Sequence, residues 1–309
     1  MPAKHVVTPR LLSWVASALL LATPVPGITA NRYATPDAAA KALHEAVQSG
    51  SRATMLQVLG SKAEPLIDSG DPVADRHGRE QFANAYRALH EVERIADDRA
   101  TLVIGDHRWP FPIPIRKVDG QWQFDAAAGR EELINRRIGQ NENAATQAIL
   151  AYVDAQQEYY RRDPDRSGLL HYAQRFVSTP GKRDGLYWPA DESGEASPLG
   201  ELYADAALQG YGKTRNQAQT PYHGYYYRIL AAQGPNARGG AYDYVAQGKM
   251  LGGFALVAWP AKYGVSGVMT FVVNQDGKVF EKNLGAQTAT VVKRISRFDP
   301  DDSWKPLPQ

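Results

Sequence analysis

The segment most suggestive of chemistry is DPDRSG, which runs from Asp163 to Gly168. Its first, third and fifth positions carry side-chain oxygens and its sixth is glycine, as at the start of a calcium-binding loop. Asp163, Asp165 and Ser167 are therefore candidate ligands of a weak calcium site. The twelfth position, however, is Gln174 rather than a bidentate glutamate, and these residue types are also common in turns. The alternative is a turn that ends a helix.

A second candidate is an aromatic binding surface. Tyrosine offers a large, rigid contact area with a polar tip, which suits recognition of another protein or of a glycan. The alternative is that some tyrosines of these strand-like segments pack inward, because successive side chains of a strand point to opposite faces. The candidate binding residues are Trp109, Tyr225, Tyr227, Tyr242 and Tyr244.

Catalytic motifs are harder to find in this sequence. It contains no G-x-S-x-G elbow, no H-E-x-x-H pair and no P-loop, and its histidines are scattered. The chain of 309 residues has no cysteine, which excludes disulfides and thiolate chemistry. The alternative function is a periplasmic hydrolase with carboxylates or His107 in a cone-shaped N-terminal pocket near Trp109. A desolvated acid in such a pocket would favour the enzyme, whereas a flat aromatic face would favour binding.

The first 30 residues have the layout of a secretory signal peptide. Lys4 and Arg10 supply a basic start, Leu11–Thr23 is a short apolar run, and small residues up to Ala30 offer a cleavage site. The apolar run is too short to span a bilayer comfortably, although an uncleaved membrane anchor is the alternative. We expect a mature chain that begins near Asn31, does not span a membrane, and is periplasmic or secreted.

The charge of the mature chain argues against nucleic acid as a partner. The whole sequence holds 35 basic and 33 acidic residues, and two of the basic residues lie in the signal peptide. The mature chain therefore has 33 of each sign and no net charge to attract a phosphate backbone.

Residues 31–128 are predicted to form a small α+β domain, with helices first and a small antiparallel sheet after them. Thr35 and Asp71 each precede a proline and are typical helix N-caps, and the helical pattern that follows Asp71 extends to Val92. Asp119-Gly120 is typical of a hairpin turn. The order of elements is compatible with an NTF2-like or cystatin-like fold. The predicted strands are Ala100–Ile104, Ile113–Val118 and Gln121–Asp125.

The segment WPFPIP, from Trp109 to Pro114, has three prolines at alternate positions. These prolines remove three backbone donors on one side, so the segment is either a protected edge strand or a polyproline II stretch. In the second case it would serve as a docking surface.

Residues 129–298 are predicted to form a second domain, in which a long helix packs on a five-stranded antiparallel sheet. Apolar residues recur at helical spacing from Ile134 to Tyr159. Residues 299–309 are expected to be a polar tail. The five candidate strands are Tyr225–Leu230, Gly240–Ala246, Phe254–Trp259, Gly267–Val273 and Lys278–Asn283.

Several long segments carry a family resemblance. They include YAQRFVSTPGKRDGLYWP, GYYYRILAAQGPNARGGAYDY and GGFALVAWPAKYGVSGVMTFVVNQDGKVFEKNLG. The chain resembles, from about Tyr33 to Phe298, the secreted bacterial family known as the domain of unknown function 2950. That resemblance implies an exported protein. The helix ending near Ala155–Tyr159 and the sheet after it are also similar to the globular heads of type IV pilin-like proteins.

Taken together, these features predict an exported cell-envelope protein that acts as a non-catalytic binding or interaction module. Its partner would be an envelope protein or a glycan, and no cofactor is expected apart from the weak calcium ion. A further domain separates the apolar N-terminal segment from the long helix, so we do not expect fibres of the pilin type.

Overall fold

The computed structural model describes residues 29–308 except 167, 191–193, 203–205 and 207–219. The signal-peptide prediction falls almost wholly outside these residues. Helices and antiparallel sheets are both present, which confirms the α+β class. Buried apolar side chains form two separate clusters, one in the N-terminal part of the chain and one in the C-terminal part. No helix among the described residues is both long and apolar enough to cross a bilayer.

The N-terminal helices begin where the sequence predicts. The Thr35 hydroxyl accepts the Ala38 N–H at 3.1 Å, and Gly50 ends the first helix with a φ of 65°. The Asp71 carboxylate accepts the N–H groups of Val73 and Ala74, each at 3.1 Å. The helices are α1 (Pro36–Ser49), α2 (Arg52–Leu59), α3 (Glu64–Ile67) and α4 (Pro72–Ala88).

The first sheet is antiparallel, with strand order β1-β2-β4-β5 and β3 paired to β2. Positive φ angles of 49° and 81° at Asp119 and Gly120 confirm the predicted turn. The predicted extension of α4 to Val92 is wrong, because residues from His90 onward pair with β2 as a strand. The strands are β1 (His90–Ala96), β2 (Arg99–Ile104), β3 (Trp109–Pro110), β4 (Ile115–Val118) and β5 (Gln121–Phe124).

The proline-rich segment is a sheet edge rather than a free polyproline stretch. Trp109 and Pro110 pair with β2, and the Phe111 N–H donates to the Leu102 carbonyl at 2.7 Å. Trp109 and Phe111 also pack against the N-terminal core. The prolines therefore lie at a sheet edge, where their missing N–H groups do not interrupt the hydrogen bonds between central strands.

One helix, α5 (Ala126–Arg162), runs from the first core to the second. Asp125 caps its start by accepting the Ala128 N–H, and Asp163 ends it with a φ of 44°. Its buried residues from Ala145 onward belong to the C-terminal core. The helix is longer than the periodicity predicts because the small residues of its first turn carry no apolar stripe.

The second sheet is antiparallel, with strand order β14-β13-β12-β11-β6. Four of the five predicted strands are present in it, but residues 240–246 are not. They divide into β8 and β9, which pair outside the sheet, and the fifth place is taken by β14 from the predicted tail. The strands are β6 (Tyr225–Leu230), β7 (Ala232–Gln233), β8 (Tyr242–Asp243), β9 (Val245–Ala246), β10 (Lys249–Met250), β11 (Ala255–Pro260), β12 (Met269–Asn274), β13 (Phe280–Asn283) and β14 (Lys305–Pro306).

The two parts of the chain meet at a polar seam. The Asp71 carboxylate accepts the Gly224 N–H at 2.8 Å, and Asp71 is fully buried. The Lys262 ammonium donates to the Asp68 carbonyl at 3.2 Å and lies 3.4 Å from the carboxylate of the same residue. Asp71, the residue that caps α4 in the N-terminal part, thus also binds the backbone directly before β6 in the C-terminal part.

Candidate functional site

Two places in the C-terminal part bring together polar and charged side chains that could bind a ligand. The first, here called the Asp–His–Lys cluster, consists of Asp163, Asp165, His171 and Lys249. The two aspartates follow the end of α5, His171 lies a few residues further on, and Lys249 opens β10. The cluster forms because the chain reverses direction at the left-handed residue Asp163.

The polar atoms of Asp165, His171 and Lys249 lie within hydrogen-bonding distance of one another. One carboxylate oxygen of Asp165 (Oδ2) lies 2.9 Å from His171 Nε2 and 2.6 Å from Lys249 Nζ. Lys249 Nζ is also 2.9 Å from His171 Nε2. The other ring nitrogen, Nδ1, lies 3.0 Å from the Tyr172 carbonyl oxygen. Asp163, Asp165 and His171 each offer a ligand atom, and these atoms lie within 4.8 Å of one another.

This arrangement differs from the calcium loop that the sequence suggests. Asp163 accepts the Gly168 N–H at 3.0 Å, a contact that is compatible with a turn and with a calcium loop. Gln174, at the twelfth position, donates to the Gly248 carbonyl at 2.8 Å. The third proposed ligand, Ser167, lies outside the described residues. His171 was not among the predicted ligands, because no motif spacing links it to the two aspartates.

The tyrosines do not form one exposed surface. Tyr225 and Tyr244 are buried in the C-terminal core, where their hydroxyls donate to the Met269 carbonyl and to Gln233 Oε1, each at 3.0 Å. The prediction that these two residues belong to a binding surface is therefore wrong. Tyr225 opens β6, and Tyr244 lies between β8 and β9, with both side chains directed into the core.

Two other tyrosines remain near the surface. Tyr227 is half-buried, and its hydroxyl lies 3.4 Å from the Tyr222 carbonyl. Tyr242 is 38% exposed and stacks edge-on against Tyr244. Single tyrosines in such positions offer much less contact area than the predicted patch.

The predicted N-terminal pocket is also not built from the residues proposed for it. His107 is exposed in the turn between β2 and β3. Trp109 is half-buried and stacks edge-on against Phe111 at 6.0 Å between ring centres. His107 thus lies on an open turn, whereas ligand-binding and active sites are usually concave.

The second functional place, here called the hairpin groove, lies beside the turn that joins β12 and β13. Asp276 and Lys278 come from this turn, and the loop after β7 supplies Arg238. Lys278 Nζ lies 5.3 Å from the centre of the Phe280 ring. The groove is lined by Asn236, Ala237, Arg238, Asn274, Asp276, Lys278, Phe280, Phe298 and Pro300.

Asn274 gives the groove an unusual polar wall. It is 2% exposed, and its Oδ1 accepts the Asp276 N–H at 3.2 Å. Its amide nitrogen, Nδ2, is buried without a hydrogen bond of ordinary geometry in the described part of the chain. Tyr244 is near enough for this amide to lower its pKa slightly, but burial dominates and raises the pKa of Tyr244. The Asn274 amide therefore faces Tyr244 inside the core rather than the open side of the groove.

A second groove continues along the same segment of chain. Asp299 lines this second groove, whereas its neighbour Pro300 lines the hairpin groove. The other residues of the second groove are Val272, Arg294, Ile295, Ser296, Arg297 and Trp304. Two consecutive residues of this loop, Asp299 and Pro300, therefore line different grooves.

Comparison with known proteins identifies the family but assigns no activity. A family model described as "Protein of unknown function (DUF2950)" matches residues 30–307. Neither the curated proteins nor the solved structures contain a match. The likeness to pilin heads is not confirmed, and those to NTF2-like and cystatin-like folds stay predictions. Because the family model spans nearly the whole chain, this protein belongs to the DUF2950 family.

Proposed function

We propose that this protein is exported and acts in the cell envelope as a non-catalytic binding module, with the hairpin groove as its ligand site. The observation that carries the proposal is the lining of the groove. It combines two cations, a carboxylate and apolar faces in one concave surface. Concave sites with a few convergent polar groups are the usual places for ligand binding.

The chemistry of the lining favours a glycan over a protein as the ligand. Arg238 and Lys278 offer donors, and Asp276 offers acceptors, so hydroxyl groups can be bound in either sense. The faces of Phe280 and Pro300 suit the apolar side of a sugar ring. The second groove, next along the chain, provides room for a ligand made of several linked units.

Binding can be tested with the mature chain on an array of bacterial envelope polysaccharides. Arg238→Ala and Lys278→Ala should each weaken glycan binding by about tenfold to a hundredfold, because a hydrogen bond to a charged group contributes about 1.5 to 3 kcal/mol. Lys293→Ala is the matched control, since Lys293 is exposed and lines neither groove. Binding that is unchanged in both groove variants, or seen only with envelope proteins, would contradict the proposal.

Export is a separate prediction with its own measurement. The layout of residues 1–30 favours cleavage by a signal peptidase, so the mature protein should begin near Asn31. Cells that express the full sequence should be fractionated, and the protein in each fraction should be analysed by intact-mass spectrometry. A dominant species that retains residues 1–30 in the cytoplasmic fraction would refute export.

A further inference from the structure

The protonation of His171 is set by its surroundings in the Asp–His–Lys cluster. A carbonyl oxygen can only accept a hydrogen bond, so the 3.0 Å contact with Tyr172 requires a proton on Nδ1. The side chain is only 7% exposed, which holds the ring in this orientation. Metal-binding histidines usually have this arrangement, with one ring N–H fixed by a carbonyl and the other nitrogen free to act as a ligand.

The second ring nitrogen of His171, Nε2, has two neighbours that require opposite protonation states of this atom. Lys249 Nζ can only donate, so its 2.9 Å contact requires a lone pair on His171 Nε2. The Asp165 carboxylate, also at 2.9 Å, would instead require a proton there. A cation that contacts both atoms resolves this conflict, and Lys249 Nζ does so here, at 2.6 Å from Asp165 Oδ2.

We propose that the Asp–His–Lys cluster is a binding site for a divalent transition-metal ion such as Zn²⁺, with the Lys249 ammonium in the place of the ion when no metal is bound. The ligands would be one imidazole nitrogen and one carboxylate oxygen each from Asp163 and Asp165. This donor set suits Zn²⁺ or Co²⁺, whereas Ca²⁺ prefers six to eight oxygens. The inference is independent of the glycan proposal, because none of these residues lines either groove.

In the proposed site, the Lys249 ammonium and the metal ion compete for the same position. Its side chain is 31% exposed, so the ammonium has a path to solvent when a metal ion enters. Carboxylate and imidazole ligands bind Zn²⁺ at about 2.0 to 2.2 Å, so the ligands must close in slightly around the ion. Removing the ammonium should therefore strengthen metal binding, which is the reverse of what a structural ion pair predicts.

The test is a titration of tag-free mature protein with Zn²⁺ by calorimetry and with Co²⁺ by visible absorption. We expect one ion per chain, at least tenfold tighter binding in Lys249→Met, and at least tenfold weaker binding in His171→Gln. Lys293→Met, which removes a charge elsewhere, should bind as the unchanged protein does. Ca²⁺ should bind more weakly than Zn²⁺.

Asp163→Asn provides a second variant if His171→Gln does not fold, because the Asp163 side chain lies at the edge of the cluster and can still accept the Gly168 N–H. This variant should keep the circular dichroism spectrum and lose most of the Zn²⁺ affinity. The inference is overturned if the protein binds no Zn²⁺ or Co²⁺, or if Lys249→Met does not tighten binding. It is also overturned if Asp163→Asn leaves the affinity unchanged, since the ion would then be held by exposed histidines elsewhere.

Discussion

Replacing Asp71 with alanine should lower the free energy of unfolding by about 2 to 5 kcal/mol. The carboxylate is fully buried and accepts three backbone N–H groups, two in the first turn of α4 and one at Gly224 across the seam. The loss of a helix cap costs about 0.5 to 2 kcal/mol, and an unsatisfied buried donor costs about 1 to 3 kcal/mol more. The seam should therefore weaken together with the helix.

Urea unfolding of the whole protein, followed by fluorescence and circular dichroism, measures this loss of stability. Thr35→Ala is the matched control, because Thr35 caps α1 through the single Ala38 N–H and is exposed. It should cost only about 1 kcal/mol. Asp71→Asn keeps one acceptor for the cap and separates the contribution of the cap from that of the seam. An Asp71→Ala variant no less stable than Thr35→Ala would show that the bond to Gly224 carries no stability.

Gly129→Ala should destabilise the protein by about 1 to 3 kcal/mol, although alanine is the better helix former. A Cβ atom at Gly129 would lie 2.3 Å from the Pro112 carbonyl oxygen and 2.8 Å from the Ile113 nitrogen. These are backbone atoms of the proline-rich edge, so no side-chain rotation can relieve the contact. Either the start of α5 or this edge of the first sheet has to move.

Gly139→Ala, in the same helix, is the matched control for this substitution. Gly139 is exposed, and a Cβ atom there would have no neighbour within 4 Å. It should raise the free energy of unfolding by about 1 kcal/mol, because alanine is favoured over glycine in a helix interior. Thermal unfolding followed by circular dichroism compares the two variants. Shifts of the same sign would mean that Gly129 does not pack closely against Pro112.

Features set by local chemistry could be predicted from the sequence. The helix starts after Thr35 and Asp71 and the turn at Asp119-Gly120 follow from residue types within a few positions of one another. The long helix α5 was recognisable from its apolar spacing, and four strands of the second sheet were recognisable from their composition.

Features set by distant contacts could not be predicted in the same way. The segment from His90 to Ala96 is mostly exposed and becomes a strand by pairing with β2, and β14 has only two residues, both exposed. The same limit applies to the candidate sites. Nothing in the spacing of Asp165, His171 and Lys249 indicates that the fold brings them together, and composition alone does not show which tyrosines face inward.

Helix α5 also fixes the position and the rotation of one half of the protein relative to the other. Its 37 residues, at about 1.5 Å per residue, give a rod of roughly 55 Å with no loop between the two cores. Because the halves also touch at the seam, the helix must match that contact both in length and in rotation. One residue more or less in the rod would also rotate one half by about 100° relative to the other. Evolution can lengthen the loops of such a protein freely, but the length of this rod is under geometric constraint.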